Sequence, residues 1–437
     1  MIKILGVSEF KAVRAVKQTA AGAVAATVSG IISDVIERGD DAVREYTEKF
    51  DGCRLDSFEV AALSFDAAVN EVGPEFIGIM ERSAKNIEDF HRQQIRKDFI
   101  LTPGNGIILG QRTTPIERVG IHIPGYTAAN PSSVLMNCIP AKLAGVGEIV
   151  IVTPPGRNGE VNPAILAAAK VGGADRVFSI AGAQAVAALA YGTETIPAVD
   201  KITGPGNAYV AEAKRQVYGI VGIDMIAGPS DILVIADFSA DPVLVAADLL
   251  SQCEHGENSI AVLVTDSAEL AETVSAEIEK QLSTLPREEH ARKSVDNNGK
   301  IIIADSIDQA FDISNEIAPE HLEIFLDDPL RYLDKVKNAG SIFLGKNTPE
   351  ALGDYYAGPN HTLPTSGTAR FSNPLSVDDF VKKSSFTYYT EKALLSAADD
   401  VVKFAEKEGL HAHALSVSRR QSFCVTEQNE SNNAIGH

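Results

Sequence analysis

Four consecutive stretches decide the fold: EIVIVTPP (148–155), PAILAAAKVG (163–172), DRVFSIAG (175–182) and AQAVAALAYG (183–192). Short β-rich apolar runs alternate here with alanine-rich helical stretches. Such alternation is typical of βα units on a parallel sheet. The glycine-rich segment GPGNAYVAEAKRQVYG (204–219) extends the series, and we therefore predict an α/β protein.

A second series of the same kind follows further along the chain. Its β-rich runs are SDILVIAD (230–237), SIAVLVTD (259–266), GKIIIAD (299–305) and AGSIFLG (339–345). Helical stretches separate these runs, so we predict two Rossmann-like, incompletely doubly wound parallel-sheet domains. The segment AGPSD (227–231) is a plausible crossing point between them. Ligands of such folds bind beyond the carboxyl ends of strands or between domains.

The two ends of the chain read differently from the middle. Residues 1–110 are predicted to be mainly helical. After the breaker pair Gly73-Pro74, apolar residues recur at the spacing of one amphipathic helix, whose expected role is packing. These residues are Phe76, Met80, Ala84, Ile87 and Phe90. The segment from about 380 is predicted to be helical and polar, with a frayed end.

Composition and charge exclude several classes of protein. The chain has 437 residues, 45% of them hydrophobic, which is enough for two or more domains with their own cores. Its 39 Lys and Arg against 59 Asp and Glu give a formal net charge of −20. Such a charge repels a phosphate backbone, so we expect no nucleic-acid partner.

Targeting signals are also missing from the pattern. No apolar run reaches the roughly 18 residues of a membrane helix, so no membrane partner is expected. The N-terminal residues lack the apolar core of an export signal. The four cysteines form no C-x-x-C pair, which suits free thiols in a reducing compartment. We expect a cytoplasmic protein.

The most informative motif is DPVLVAADLLSQCEHG (241–256). Asp241 can cap this helix, Pro242 suits its first position, and Gly256 suits the left-handed position after its last turn. Gln252 and His255 are then expected on one face of the C-terminal end. An amide oxygen, an imidazole and the negative end of the helix dipole favour a cation there. Taken alone, a Q-x-x-H pair is also typical of an ordinary capped helix end.

Candidate partners for this pair lie in two distant segments. They are Asp354 and His361 in GDYYAGPNH (353–361), and Glu408, His411 and His413 in EGLHAHALSVSRR (408–420). The first pair brackets a Gly/Pro loop of the kind that carries function, or else forms an Asx turn with a surface histidine. In the second segment the two histidines point apart on a helix, so at most one is expected to face a site. For His411 we favour a solvated position.

Glu320 and His321 are adjacent in APEHLEIFL (318–326). A carboxylate beside an imidazole offers two proton-transfer groups with different natural pKa values, as stepwise acid/base chemistry requires, although such dipeptides also occur by chance. The loops GPGNAY (204–209) and HIPGYTAANPSSV (122–134) each precede a helix, and either could hold a pyrophosphate. Cys138 and Cys253 are expected to be packed thiols, which disfavours a cysteine-nucleophile dehydrogenase.

An ordered series of motifs between about residues 110 and 420 resembles the histidinol dehydrogenase family. The motifs are RVGIHIPG (118–125), PSSVLM (131–136), AGAQAVAALAYGT (181–193), ITGPGNAYVAEAKRQV (202–217), AGPSDILVIAD (227–237), DLLSQCEHG (248–256), APEHLEI (318–324), GDYYAGPNHTLPTSGTARFSNPLSVDDF (353–380) and EGLHAHALSV (408–417). The family oxidises L-histidinol to L-histidine with two NAD at the end of histidine biosynthesis.

Domain boundaries follow from the element pattern and this resemblance together. We expect a helical N-terminal arm over 1–20, a first α/β domain over 21–121 and 232–378 with the metal and catalytic residues, a second α/β domain over 122–231 that binds NAD, and a helical tail over 379–437 that forms the dimer. The family is an intertwined homodimer whose C-terminal segment reaches the active site of the partner. Glu408 and His413 are therefore expected to act in trans.

The resemblance implies a zinc site formed by Gln252, His255, Asp354 and His413, although a mixed N/O donor set also suits manganese. In the family the metal holds the imidazole and amine of the substrate and so orients the alcohol carbon. The positions that match family substrate contacts outside this set are Ser230, His321, His361 and Glu408.

The family mechanism assigns His321 as the general base for the alcohol proton and Glu320 as the group that activates water for the bound aldehyde. His321 acts again when the hydrate gives up the second hydride. The cofactor contacts of the family fall on His122, Gln184 and Asn207. The chain departs from the family at His122, where tyrosine is usual, at Tyr126, where a second glycine is usual, and at Asn130, where a larger residue is usual.

Two other functions stay open at this point. His122 and Tyr126 are compatible with a paralogous metal- and NAD-dependent dehydrogenase that acts on a different amino alcohol. A two-lobed protein that closes on a small polar ligand without chemistry is the second alternative. The missing export signal and the Glu320-His321 pair argue against it.

Overall fold

The computed structural model describes residues 1–9, 21–125 and 129–434. Most of the expected N-terminal arm therefore lies outside the described residues, as do Tyr126 and residues 435–437. The chain forms two compact units. The first comprises Met1–Ile95 and Pro115–Phe380, and the second comprises Arg96–Thr114 and Val381–His437.

Strands and helices are numbered in chain order within the described ranges. The strands are β1 (Lys3–Gly6), β2 (Phe99–Gly104), β3 (Ile107–Pro115), β4 (Arg118–His122), β5 (Glu148–Val152), β6 (Arg176–Phe178), β7 (Lys201–Thr203), β8 (Gly222–Ile223), β9 (Asp231–Ala236), β10 (Ile260–Thr265), β11 (Lys300–Ile303), β12 (His321–Phe325), β13 (Ser341–Leu344) and β14 (Val381–Tyr389). The helices are α1 (Ala21–Arg38), α2 (Asp40–Asp51), α3 (Ala62–Val72), α4 (Pro74–Arg92), α5 (Pro131–Ala144), α6 (Pro163–Gly172), α7 (Gly182–Tyr191), α8 (Ala208–Val217), α9 (Pro242–Cys253), α10 (Ala268–Leu282), α11 (Glu288–Asn298), α12 (Ile307–Ile317), α13 (Glu350–Leu352), α14 (Glu391–Lys407) and α15 (His411–Ala434).

The first unit contains a five-stranded parallel sheet in the order β6-β5-β4-β7-β8. Along the chain, the central strand β4 comes first, β5 and β6 then extend the sheet to one edge, and β7 and β8 extend it to the other, as in a doubly wound fold. Val150 and Val152 of β5 face a core with α7 and α8, whereas Ile149 and Ile151 face a core with α5 and α6. The predicted α/β fold is confirmed.

The helices of residues 21–92 pack against the helices that flank this five-stranded sheet. α1 packs against α7 and α8, α3 against α6, and α4 against α5. The amphipathic helix predicted after Gly73-Pro74 is α4, and its buried Met80 and Ile87 lie in the same core as α5. Residues 21–121 were expected to belong with the other sheet, and this packing corrects that boundary. The cause is long-range packing, which no local pattern reports.

A second parallel sheet of the first unit has six strands in the order β1-β11-β10-β9-β12-β13. Helices α9, α10 and α11 cover one face and α12 covers the other. Residues 3–6 were expected in a helical arm but form the edge strand β1, which pairs with β11. A run as short as Lys-Ile-Leu-Gly has no periodicity of its own, so its pairing partner decides its structure.

The start of α9 follows the prediction closely. The Asp241 side chain accepts a hydrogen bond from the Val243 N–H at 2.9 Å, and Pro242 occupies the first position. The end of the helix differs from the prediction. α9 stops at Cys253 with a right-handed C-cap at Glu254, and Gly256 does not take a left-handed conformation. His255 therefore lies in the turn that follows the helix rather than on its last turn.

The second unit combines an antiparallel hairpin with the C-terminal segment. β2 and β3 form the hairpin, and β14 pairs with β3 in the order β14-β3-β2. Helices α14 and α15 pack against each other. The tail predicted as helical thus begins with a strand, and residues 96–114, predicted within a mainly helical region, form its sheet partner. Among the described residues, no helix is long and apolar enough to cross a membrane.

Candidate active site

Polar side chains gather at the amino ends of β9 and β12. Asp231 is the first residue of β9, and His321 is the first residue of β12, directly after Glu320. These strands are hydrogen-bonded neighbours. α9 runs back along the sheet after β9, so Gln252 in its last turn returns to the same edge. Ligands were expected beyond the carboxyl ends of strands or between domains, and in this sheet the polar side chains gather at the amino ends of the strands.

Glu320 is held by a reciprocal pair of hydrogen bonds. The Asp231 N–H donates to Glu320 Oε2 at 2.9 Å, and the Glu320 N–H donates to Asp231 Oδ1 at 2.8 Å. Both residues are buried. The two bonds fix the carboxylate beside His321, whose Nδ1 is 3.8 Å from Glu320 Oε2. Glu320 and His321, which were predicted to act as an acid/base pair, thus lie side by side, and Asp231 holds the carboxylate.

Gln252 also contacts His321. Its Nε2 is 2.9 Å from His321 Nδ1 and donates to Glu350 Oε1 at 3.2 Å. Its carbonyl oxygen Oε1 is buried and has no hydrogen-bond partner. A buried amide oxygen without a donor is costly, and a metal ion is one partner that removes the cost. His321 Nε2 is likewise buried without a partner.

His255, Glu350 and Asp354 form a compact group of metal-type donors, with one ligand atom of each within 4.8 Å of the others. His321 Nε2 faces the same group, 3.9 Å from Glu350 Oε1 and 3.8 Å from Asp354 Oδ1. The structure therefore brings three of the four predicted metal ligands to one place in the first unit, namely Gln252, His255 and Asp354. The imidazole, amide and carboxylate donors suit a divalent ion such as zinc or manganese.

Glu350 was not among the predicted site residues. It is buried, and its Oε2 accepts a hydrogen bond from Ser251 Oγ at 2.8 Å. The available signal was its spacing of four residues from Asp354, which puts both carboxylates on one side of a helical turn. α13 continues into a π-helical turn, Gly353–Ala357, that carries Asp354.

The electrostatics of the pair are set by burial and by these carboxylates. Burial raises the pKa of Glu320 to about 8. Burial also acts to lower the pKa of His321, but Glu320, Asp354 and Glu350 together raise it well above its ordinary value. Burial acts to raise the pKa of Asp354, but the neighbouring histidines outweigh this effect, so the pKa lies below its ordinary value. Groups with strongly shifted pKa values at one edge of a sheet are typical of an active site.

His361 is placed next to the metal-type donors. Its Nδ1 donates to the backbone oxygen of Asp354 at 2.9 Å, since a carbonyl can only accept. Its Nε2 is therefore the acceptor in the neutral ring, and Ser133 Oγ donates to it at 2.9 Å. His361 thus links α5 to the turn that carries Asp354.

Comparisons with known proteins point to a single family. The family model described as histidinol dehydrogenase matches residues 14–421. The chain is 56% identical over 393 residues to histidinol dehydrogenase of Bacillus cereus, covering 90% of this chain and 91% of that one. It is 54% identical over 394 residues to that of Clostridium acetobutylicum, with the same coverage. The chain belongs to the histidinol dehydrogenase family.

A solved structure supports the assignment. The crystal structure of histidinol dehydrogenase from Elizabethkingia anophelis superposes with a TM-score of 0.89 at 38% identity, covering 97% of this chain and 98% of that chain. Members of the histidinol dehydrogenase family are NAD-dependent oxidoreductases of histidine biosynthesis that act on a small molecule. The resemblance described from the motifs is confirmed.

The three residues that were predicted to contact the cofactor lie at the carboxyl edge of the five-stranded sheet. His122 ends β4, Gln184 is in the first turn of α7, and Asn207 caps α8 by accepting from the N–H groups of Tyr209 and Val210. Gln184 is buried, and its Nε2 has no hydrogen-bond partner. The edge therefore offers an unpaired amide donor beside two helix N-termini.

His122 does not present a free ring nitrogen. Its Nδ1 is 2.8 Å from Pro205 O, and the Gly182 N–H donates to its Nε2 at 3.4 Å. The imidazole therefore links the start of α7, near Gln184, to the loop before α8, which contains Asn207. Asn130, the other described departure from the family, precedes α5 and donates from Nδ2 to Pro124 O at 3.3 Å.

Three other predicted residues, Ser230, Glu408 and His413, lie in two different units of the chain. Ser230 directly precedes Asp231, and its backbone oxygen accepts from the Ile260 N–H at 3.0 Å. Glu408 and His413 belong to the second unit, where both are exposed at the turn between α14 and α15. The geometry of the first unit therefore says nothing about the role of either residue.

The described cysteines Cys53, Cys138 and Cys253 are free thiols. Burial raises the pKa of Cys138 to about 12 and that of Cys253 to about 11. Neither is a thiolate at neutral pH, so neither is suited to act as a nucleophile. The prediction of packed thiols agrees with this environment.

Proposed function

We propose that the chain oxidises L-histidinol through bound L-histidinal to L-histidine, using NAD as the hydride acceptor. The observation that carries the proposal is the buried Glu320-His321 pair, which faces the donors Gln252, His255 and Asp354. A buried carboxylate and a buried imidazole side by side, both with shifted pKa values, favour acid/base chemistry over ligand binding alone.

Gln252, His255 and Asp354 of the first unit, with His413, would hold one zinc ion per subunit. The unpaired Gln252 Oε1 and the clustered donor atoms fit such an ion, and manganese suits the same set. When bound, the ion would anchor the imidazole and amine of the substrate and offset the charge of the surrounding carboxylates. Glu350 would be available as an additional carboxylate at this position.

His321 is the proposed general base. With a metal ion bound, the carboxylates that raise the pKa of His321 would be offset, so the neutral ring could accept the alcohol proton as the carbinol C–H bond breaks and the hydride leaves to NAD, which gives the bound aldehyde. Glu320 then accepts a proton from water as the water oxygen adds to the aldehyde carbon, and His321 returns its proton to the former carbonyl oxygen, which gives the hydrate and frees the ring to act again. His321 accepts the hydrate proton while the second hydride leaves to a second NAD, which yields the carboxylate. Ser230 and His361 are proposed to position the substrate.

The carboxyl edge of the five-stranded sheet is proposed to bind NAD. Gln184 would donate from its unpaired Nε2, and Asn207 would present the N-terminus of α8. His122 would contribute by holding both loops in place, because its ring nitrogens are already engaged.

The active protein is proposed to be a homodimer in which Glu408 and His413 complete the site of the partner. Both residues are exposed within their own unit, so they are accessible to a second subunit. The unpaired thiols of the described residues fit activity in the cytoplasm, where histidine biosynthesis would take place.

The test is to incubate purified protein with L-histidinol and NAD and to measure NADH and L-histidine together. We expect about two NADH for each histidine formed, loss of activity on chelation, and recovery on addition of zinc. Glu320→Gln and His321→Asn should each lower turnover by about 10²-fold or more. Glu316→Gln, an exposed position on α12, is the matched control. Turnover of another amino alcohol, with none of L-histidinol by zinc-loaded protein, would overturn the substrate assignment.

A further inference from the structure

Helix α4 does more than pack, because it binds the backbone of the turn that carries Asp354. Ser83 Oγ donates to the backbone oxygen of Tyr355 at 2.6 Å. Asn86 Nδ2 donates to the backbone oxygen of Tyr356 at 2.8 Å. Ser83 and Asn86 are three residues apart on α4, so they lie on one face of the helix. Two side chains of one helix face thus bind two successive carbonyls of the turn.

These carbonyls need donors from outside their own helix. In a continuing α-helix, Tyr355 O would accept from the residue four positions later, which here is Pro359 and has no N–H. The chain also leaves the π-helical turn at Gly358, whose φ is 114°. Both carbonyls are therefore free to accept hydrogen bonds from side chains outside the turn. Ser83, itself buried, and Asn86 supply these donors.

The approach of the turn to α4 is close. A Cβ atom at Gly358 would lie 2.6 Å from the backbone oxygen of Asn86, so only glycine permits this packing. Further along α4, His91 Nε2 is 3.4 Å from Asn360 Nδ2. α4 therefore contacts the segment on both sides of Gly358.

Within the described ranges, the Asp354 carboxylate has no partner at hydrogen-bond distance. Its Oδ1 is 3.8 Å from His321 Nε2 and 4.0 Å from His361 Nδ1, and both distances exceed that of a hydrogen bond. The position of the carboxylate is consequently set by the backbone of its turn. That backbone is held by α4 at the two residues that follow Asp354.

We propose that Ser83 and Asn86 are positioning residues of the metal site, which hold the turn Gly353–Ala357 so that the Asp354 carboxylate faces the metal position. The inference rests on the proposed function, because it assumes that Asp354 binds the metal. Residues that orient a metal ligand without touching the ion commonly change metal affinity by 10- to 100-fold.

The experiment measures the zinc dissociation constant of the full-length protein by competition with a chromophoric chelator. Ser83→Ala and Asn86→Ala should each raise this constant about tenfold, and the double variant should raise it further. Asn86→Asp keeps the size of the side chain but removes its donor, and it should weaken zinc binding at least as much as Asn86→Ala. Glu81→Ala, an exposed position on the same helix, should leave the constant unchanged.

A second readout separates positioning from general stability. In the Co²⁺-loaded protein, the visible absorption bands report the geometry of the ligands, and we expect them to change in Ser83→Ala and Asn86→Ala but not in Glu81→Ala. Lower thermal stability of these variants with unchanged zinc affinity and unchanged Co²⁺ spectra would overturn the inference. Failure of the unsubstituted protein to bind zinc would overturn both the inference and the proposed metal site.

Discussion

At the scale of single residues, His122 is a buried imidazole that the protein keeps neutral. Burial lowers its pKa to about 4, although its contact with Pro205 O opposes this change. In the unfolded chain a histidine takes up a proton near pH 6.5. The unfolded state therefore binds more protons between pH 6.5 and 4. His122 thus contributes stability above pH 6.5 that is lost as the pH falls through this window.

We predict that His122→Asn makes stability less dependent on pH. Asn can still donate to Pro205 O but takes up no proton, so the free energy of unfolding should fall less between pH 7 and 4.5 than in the unsubstituted protein. The difference should be roughly 2–3 kcal/mol. Chemical unfolding at both pH values measures it. His290→Asn, at a half-exposed position, should retain the full dependence, and equal slopes for all three proteins would contradict the prediction.

At the scale of elements, a buried ion pair joins α8 to the residue that follows β8, and both partners bind the loop that precedes α8. Lys214 and Asp224 are paired, and their side chains are 2% and 1% exposed. Lys214 Nζ also donates to Gly204 O at 3.0 Å, and Asp224 Oδ2 accepts from the Gly204 N–H at 2.8 Å. Both backbone groups of Gly204 are therefore bound by the pair. Gly204 has a φ of 101°, and a Cβ atom there would overlap His122 O.

We predict that Lys214→Met destabilises the protein by about 3–5 kcal/mol, because Asp224 would remain buried without its partner. The affinity for NAD should also fall, since the loop between β7 and α8 carries Asn207. Denaturant unfolding and NAD titration measure the two effects. Lys214→Met combined with Asp224→Leu should cost less than the sum of the two single changes. Additive costs would show that the two charges do not depend on each other.

At the scale of the whole molecule, the proposed dimer makes a quantitative prediction. One variant carries His255→Asn in the first unit, and a second variant carries His413→Asn in the second unit. Each should be inactive alone as a homodimer. When both are mixed and allowed to exchange subunits, one of the two sites in each mixed dimer should receive intact residues from both protomers.

Random exchange should then restore about a quarter of the original activity, because half of the dimers are mixed and one site in each is intact. Steady-state NADH formation after exchange measures this. A mixture of His255→Asn with His255→Ala is the matched control and should stay inactive. If His255 and His413 of one chain serve the same site, the mixed dimers should also stay inactive.

Much of the fold was predictable from the sequence because it depends on local patterns. Alternating β-rich and alanine-rich runs predicted the parallel sheets, and Asp241 with Pro242 predicted where α9 begins. The order of the motifs identified the family and named Glu320, His321, Gln252, His255 and Asp354. These residues are brought together in the first unit.

Other features were decided only by the tertiary structure. Two features depend on packing between segments far apart in the chain. One is the sheet whose flanking helices residues 21–92 pack against, and the other is the pairing of β1 with β11. Glu350 became visible as part of the site only when its turn was placed against His321. The support of Asp354 by α4 crosses about 270 residues of sequence. Spacing and propensity act over one or two helical turns, whereas register and packing choose among distant partners, so the sequence pattern alone does not report these interactions.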